Sequence, residues 1–173
     1  MPDQRAEVLL TMPTTIEQYP LENRKVMKRF TESMIRWFVL FVLLAVGVVF
    51  GLRADVVIAA VAVVVLTIVA AVWQWTYENK YFAAYFYDIT PDFLVIKKGW
   101  ITPVEVTLPY EKLQDVYVDQ DIYDRAFNLY DVHVSTATMM SGIEAHIDGV
   151  NAENAQKLRE MLLSKSRQKK EVR

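Results

Sequence analysis

The chain has 173 residues, 53% of them hydrophobic and 23% charged, with no cysteine and a formal net charge of −2. The composition excludes disorder, and the missing cysteines exclude a disulfide framework, a zinc ribbon and a thiol nucleophile. Near-neutrality offers nothing to a nucleic acid, and a mean hydropathy of +0.15 alongside 19 basic and 21 acidic side chains means that apolar and charged residues are segregated along the chain.

Residues 1–20 carry Pro2, Pro13 and Pro20 with no sustained period, which predicts an irregular arm. From Leu21 the pattern turns helical, with Val26, Met27, Phe30 and Met34 opposite Arg24, Lys28 and Glu32. This basic amphipathic lead-in either lies near anionic headgroups or simply extends the next helix.

Trp37–Leu52 is free of charge, Arg53-Ala54-Asp55 interrupts it, and Val56–Trp73 follows with Thr67 as its one hydroxyl. A helix of 18 residues spans about 27 Å, close to the hydrocarbon thickness of a bilayer. Spans at about 34–52 and 56–75 therefore form an antiparallel transmembrane hairpin. A pair of core helices in a soluble protein would need a polar stripe that neither segment has. Arg24, Lys25, Lys28, Arg29 and Arg36 precede the first span and Lys80, Lys97 and Lys98 follow the second, whereas the connecting loop has Arg53 alone. Both termini are thus expected in the cytoplasm, in a multi-pass protein of the cytoplasmic (inner) membrane. Trp37, Trp73, Trp75 and Tyr77 collect at the same interface. The apolar run starts too late, behind a basic segment, to read as a cleavable signal peptide. Gly47 and Gly51 stand four apart in the first span, with Ala59, Ala60 and Ala62 at matching depth in the second. Small residues at that spacing let backbones approach, which favours packing within the hairpin over self-association.

Beyond Tyr77 short β-type runs follow: 83–89, 93–98, 104–108, 115–119, 129–136 and 143–150, with turns at Thr90-Pro91-Asp92 and Lys98-Gly99-Trp100. Asn151 caps a terminal helix from Ala152 whose apolar face is Ala155, Leu158 and Leu162, with Met161 alongside, and the last ten residues are read as frayed.

The stretch Leu108-Pro109-Tyr110-Glu111-Lys112-Leu113-Gln114-Asp115-Val116 resembles a strand turn of bacterial membrane proteins with a pleckstrin-homology-like (PH-like) domain, the YdbS/YdbT-like family. Further matches are Tyr87-Asp88-Ile89-Thr90, Lys98-Gly99, Asp119-Gln120, Arg125-Ala126-Phe127-Asn128-Leu129 and Val132-His133-Val134-Ser135-Thr136, covering about Tyr85 to Leu163. Asn128 stands where the family pattern has glycine, and asparagine tolerates the left-handed backbone that such a turn needs. The resemblance implies an α+β chain: a two-helix transmembrane hairpin, then a PH-like antiparallel β-sheet domain closed by a C-terminal helix. The expected segments are an arm at 1–20, lead-in and hairpin at 21–77, the PH-like domain at 78–164 and a basic tail at 165–173.

If the last hairpin is symmetric about Met139 and Met140, His133 faces His146, Asp131 faces Asp148 and Ser135 faces Glu144, with Val132, Val134, Ala145 and Ile147 on the other side. Two imidazoles flanked by carboxylates can hold a divalent metal, but the same alternation describes the solvated face of a sheet, and no metal ligand is assigned. The acidic segment Asp115, Asp119, Asp121 and Asp124 lacks the glycine and terminal glutamate of a calcium loop. No phosphate loop or nucleophile elbow is present, so catalytic and cofactor residues are none. Residues 78–150 hold five basic and twelve acidic side chains, which argues against specific phosphoinositide binding. Membrane-surface contacts are expected instead at Lys97, Lys98 and Trp100 and, in the tail, at Lys165, Arg167, Lys169 and Lys170. The expected function is a non-catalytic scaffold or binding module on the membrane, with a protein partner or its own copies. The alternatives are an accessory subunit bound through the hairpin and, more distantly, a metal-dependent hydrolase on the His133/His146 face.

Overall fold

The computed structural model describes residues 13–136 and 145–171. In chain order the elements are α1 (Thr15–Gln18), α2 (Arg24–Leu52), α3 (Val56–Ala83), β1 (Phe86–Ile89), β2 (Phe93–Lys98), β3 (Val104–Pro109), a 3-10 turn (Tyr110–Lys112), β4 (Leu113–Asp119), α4 (Ile122–Phe127), β5 (Tyr130–Thr136), β6 (Ala145–Val150) and α5 (Ala152–Glu171). The described residues form two compact units: Asn23–Ala84, and residues 13–22 together with those from Tyr85 onward.

In the helical unit the break is built as its sequence requires. Arg53 closes α2 in the left-handed region at φ 54°, and the Asp55 carboxylate caps α3 by accepting from the N–H groups of Val57 (2.7 Å) and Ile58 (3.2 Å). Both helices are long and apolar enough to cross a membrane, and no residue of either apolar stretch is buried. A core pair in a soluble protein would hide those side chains within the chain, which these helices do not. The lead-in is continuous with the first span in one helix from Arg24, not a separate interfacial element. The second helix overruns its expected end and continues to Ala83, so the strand read from residue 83 begins at Phe86. Its polar end stays helical because the side chains find local partners: Gln74 donates to Glu78 at 2.7 Å, Thr76 to the Val72 carbonyl at 2.9 Å and Asn79 to the Trp75 carbonyl at 2.8 Å.

The other unit consists of two three-stranded antiparallel sheets, β1-β2-β3 and β4-β5-β6, with α5 packed on β4 and β5. Period-two alternation puts Leu94 and Ile96 of β2, Val132 and Val134 of β5, and Ala145 and Ile147 of β6 in the core. A bulge after Leu113 lets Leu113 and Val116, three residues apart, both point inward. Ala155, Leu158 and Leu162 of α5 complete the core, and Asn151 caps that helix through the Asn154 N–H at 2.8 Å. This is the PH-like arrangement expected from the sequence.

The tight turns form where they were read. Thr90 N–H meets the Phe93 carbonyl at 3.0 Å, and Gly99 has φ 91°, with the Thr102 carbonyl oxygen 2.5 Å from where a Cβ would stand. Asn128 adopts φ 53° and closes α4, as its tolerance for the left-handed region implied. Fully buried Tyr110 explains the quoted strand-turn motif: its hydroxyl donates toward the carbonyls of Thr90 (2.6 Å) and Phe93 (2.9 Å), locking the β1–β2 turn.

Three readings need correction. Asp121 and Asp124, expected only as members of an acidic segment, form the capping box of the short helix α4. Residues 164–171 are not frayed: α5 continues through Glu171. Within the arm Thr15–Gln18 is not irregular but forms α1, which is fastened to β1. Thr15 donates from its N–H and its hydroxyl to Asp88 Oδ1, both at 2.8 Å, and its hydroxyl accepts from the Ile89 N–H at 3.0 Å. Tyr87 donates its hydroxyl to the Tyr19 carbonyl, and Glu22 N–H reaches the Gly149 carbonyl at 2.8 Å.

Candidate functional site

The two histidines meet as expected: His133 is paired with His146, and the rings lie 5.3 Å apart between centroids. Tyr117 of β4 stacks on His133 at 5.0 Å, extending the row across all three strands. The carboxylates do not converge on it. His133 Nε2 is 3.1 Å from Asp119, and His146 Nε2 is 2.9 Å from Asp148. Asp131 does not face Asp148 in regular register, because the pairing shifts between Tyr130 and Val132; its carboxylate accepts from the Gly149 N–H at 2.7 Å instead. The expected Ser135–Glu144 pairing lies outside the described residues. Among the described residues no three His, Asp or Glu side chains are placed to hold one metal ion.

The basic positions are partly occupied by the domain itself. Lys97 bridges to Glu105, its cross-strand partner, at 3.2 Å. Lys98 and Trp100 are half-buried, while Ile101 is 57% exposed on the same turn. Lys169 reaches Asp92 at 2.5 Å, which raises its pKa, and Lys170 donates to the Leu113 carbonyl at 2.9 Å. Lys165 is half-buried beside the arm in a cleft with Thr14, Asp88 and Met161, and Arg167 is exposed.

In the helical unit Gly47 and Gly51 stand outside the helix–helix seam. The half-buried positions there are Phe41, Ala45 and Val49 of α2 against Ala59, Val63, Thr67 and Ala70 of α3. A Cβ added at either glycine would meet no heavy atom of the facing helix within 4 Å.

One polar site went unrecognised in the sequence. A cleft of about 620 Å³ opens between the basic end of α2 and the polar end of α3, lined by Arg29, Glu32, Ser33, Arg36 and Trp37 with Gln74, Tyr77 and Glu78. Glu78 is 2% exposed; one oxygen takes the Arg29 Nε–H at 2.6 Å and the other takes Gln74 Nε2 at 2.7 Å. Arg29 also stands 4.4 Å over the Tyr81 ring. Arg36 donates to Ser33 Oγ at 3.3 Å and lies 3.6 Å from Glu32. The available signal was spacing: Arg29, Ser33 and Arg36 share a face of α2, as Gln74 and Glu78 do on α3. Counted only as topogenic charge on one helix and acidic charge on the other, they gave no sign that they meet.

The family model described as the bacterial PH domain matches residues 38–166, a span that takes in most of the hairpin along with both sheets. No curated protein and no solved structure matches the chain.

Proposed function

The chain belongs to the bacterial PH domain family, and from that membership we propose that it is a membrane-anchored, non-catalytic binding module of the YdbS/YdbT-like kind. The hairpin α2–α3 holds it in the cytoplasmic membrane, and the domain that follows binds a protein partner or further copies of itself on the cytoplasmic side. The observation that carries this is that no residue of the apolar stretches is buried within the chain, an apolar surface that lipid or another apolar surface would cover. The excess of basic residues on the flanks over the connecting loop supports the reading that both termini are cytoplasmic.

Sheet-edge coverage supports a docking position for a partner segment. The β1 edge is occupied by α1 through Thr15, and β6 is contacted by Glu22. Two β4 carbonyls are taken by α5, Val116 by Arg159 at 3.3 Å and Leu113 by Lys170. Among the described residues β3 pairs with β2 alone and has no such cover, and an extended segment added there would gain a ladder of main-chain hydrogen bonds. The second reading is an accessory subunit that binds its complex through the hairpin, favoured by the uncovered face at Gly47 and Gly51.

Topology is tested with single cysteines at Ala54 and Asp92, since the chain has none of its own. In sealed inverted vesicles a membrane-impermeant maleimide labels the Asp92 site and spares the Ala54 site. Labelling of both, or release of the chain by alkaline carbonate, refutes the anchored reading. Crosslinking in native membranes then separates the two partner modes: contacts within 81–163 support the domain, and contacts confined to 34–77 support the hairpin.

A further inference from the structure

The cleft at the polar end of the hairpin lies at a defined depth. Arg36 immediately precedes the charge-free run that starts at Trp37, and Gln74 immediately follows the one that ends at Trp73. Given the reading of α2 and α3 as spans, on which this inference rests, the cleft sits at the headgroup layer and Leu40 begins its apolar wall.

Its charges are not equivalent. Arg29 and Glu78 are committed to each other, with Gln74 on the remaining carboxylate oxygen. Arg36 and Glu32 are held loosely: their separation of 3.6 Å exceeds hydrogen-bonding distance, and the arginine side chain is 70% exposed. Of the five guanidinium donors only the one aimed at Ser33 has a partner within hydrogen-bond reach among the described residues. The cleft therefore presents a forked cation suited to phosphate, and next to it a carboxylate. A purely anionic headgroup would bring its charge against Glu32, and a quaternary ammonium has no N–H to give that carboxylate. A primary ammonium one short linker away from a phosphate meets both demands.

We propose that this cleft binds the headgroup of a phospholipid carrying a primary amine, the phosphate on Arg36 and Ser33 and the ammonium on Glu32. The full chain, purified in mild detergent and stripped of lipid, is titrated with short-chain phosphatidylethanolamine, phosphatidylglycerol and phosphatidylcholine and followed by native mass spectrometry. Phosphatidylethanolamine is expected to bind about tenfold more tightly than the other two, the ratio that one charge-assisted hydrogen bond supplies. Arg36→Ala lowers its binding about tenfold or more, and Glu32→Gln removes the preference for amine over choline while phosphate binding remains. Arg36 is exposed, so its truncation leaves the helices intact, which circular dichroism checks. Equal binding of the three lipids, or unchanged binding by Arg36→Ala, overturns the proposal. So does soluble phosphoethanolamine binding as tightly as the lipid. Carbonate-releasable protein would refute the spans; a chain retained in the membrane that does not discriminate lipids refutes this site alone.

Discussion

Thr15 and Asp88, 73 residues apart, are joined by two hydrogen bonds of 2.8 Å to one carboxylate oxygen, and the same threonine hydroxyl accepts the Ile89 N–H. The arm thereby serves as the missing neighbour of β1, satisfying an edge that would otherwise be open. Thr15→Ala removes a charge-assisted bond and orphans the Ile89 amide, costing about 2–3 kcal/mol, whereas Thr15→Ser keeps both bonds and costs under about 1 kcal/mol. Hydrogen exchange at Ile89 is the readout. An amide as protected in the alanine variant as in the parent would mean that the arm does not seal this edge.

Glu78 and Arg29 make a different kind of contact, an ion pair whose acid is almost wholly buried. Removing one partner strands the other, so Glu78→Leu or Arg29→Leu alone is expected to cost about 3–5 kcal/mol. Removing both leaves no stranded charge, and the double variant should recover most of that loss. Thermal unfolding in detergent across the four-protein cycle measures the coupling. Additive losses would show that the two side chains act independently.

The sequence was most legible where structure is decided locally. Thr90-Pro91-Asp92, the alternation through Leu94 and Ile96, the left-handed Asn128 and the cap at Asn151 each depend on a few neighbours in the chain. It failed where partners are distant or a residue type is ambiguous. Asp121 and Asp124 belong by composition to an acidic segment, and only their three-residue spacing marks a capping box. Glu78, Asn79 and Lys80 interrupt the apolar pattern without interrupting the helix. The arm's fastening to Asp88 and the Arg29–Glu78 pair leave no local trace, because each joins segments whose proximity only the fold determines.

The glycines Gly47 and Gly51 give a test of what covers the hairpin. With nothing within 4 Å of an added Cβ, alanine fits at either position and lowers the entropy of the competing non-helical states. Gly47→Ala and Gly51→Ala should each stabilise the isolated chain by about 0.5–1 kcal/mol. Unfolding in detergent, compared with pairwise energy transfer between labelled copies in vesicles, distinguishes the cases. A variant more stable in detergent with unchanged energy transfer has a lipid-facing glycine stripe. Lost energy transfer instead identifies the stripe as the contact between copies.

Tyr87 and Tyr110 set an upper pH limit on the domain. Burial is the main reason that both phenols resist ionisation, with a secondary push from Tyr19 and Asp88 at Tyr87, and from Asp88 and Asp92 at Tyr110. Both donate to carbonyl oxygens, which a phenolate cannot do. Their folded-state pKa values lie above the unfolded one, so the stabilisation is complete below about pH 10 and disappears as pH rises beyond it. Each tyrosine contributes a slope of about 1.4 kcal/mol per pH unit in that range. Absorbance at 295 nm should therefore show two of the nine tyrosines titrating only as the domain unfolds. Tyr110→Phe removes one of the two late titrations and loses the clamp on the β1–β2 turn. If all nine phenols instead titrated together near pH 10 with circular dichroism unchanged, neither hydroxyl would hold the fold.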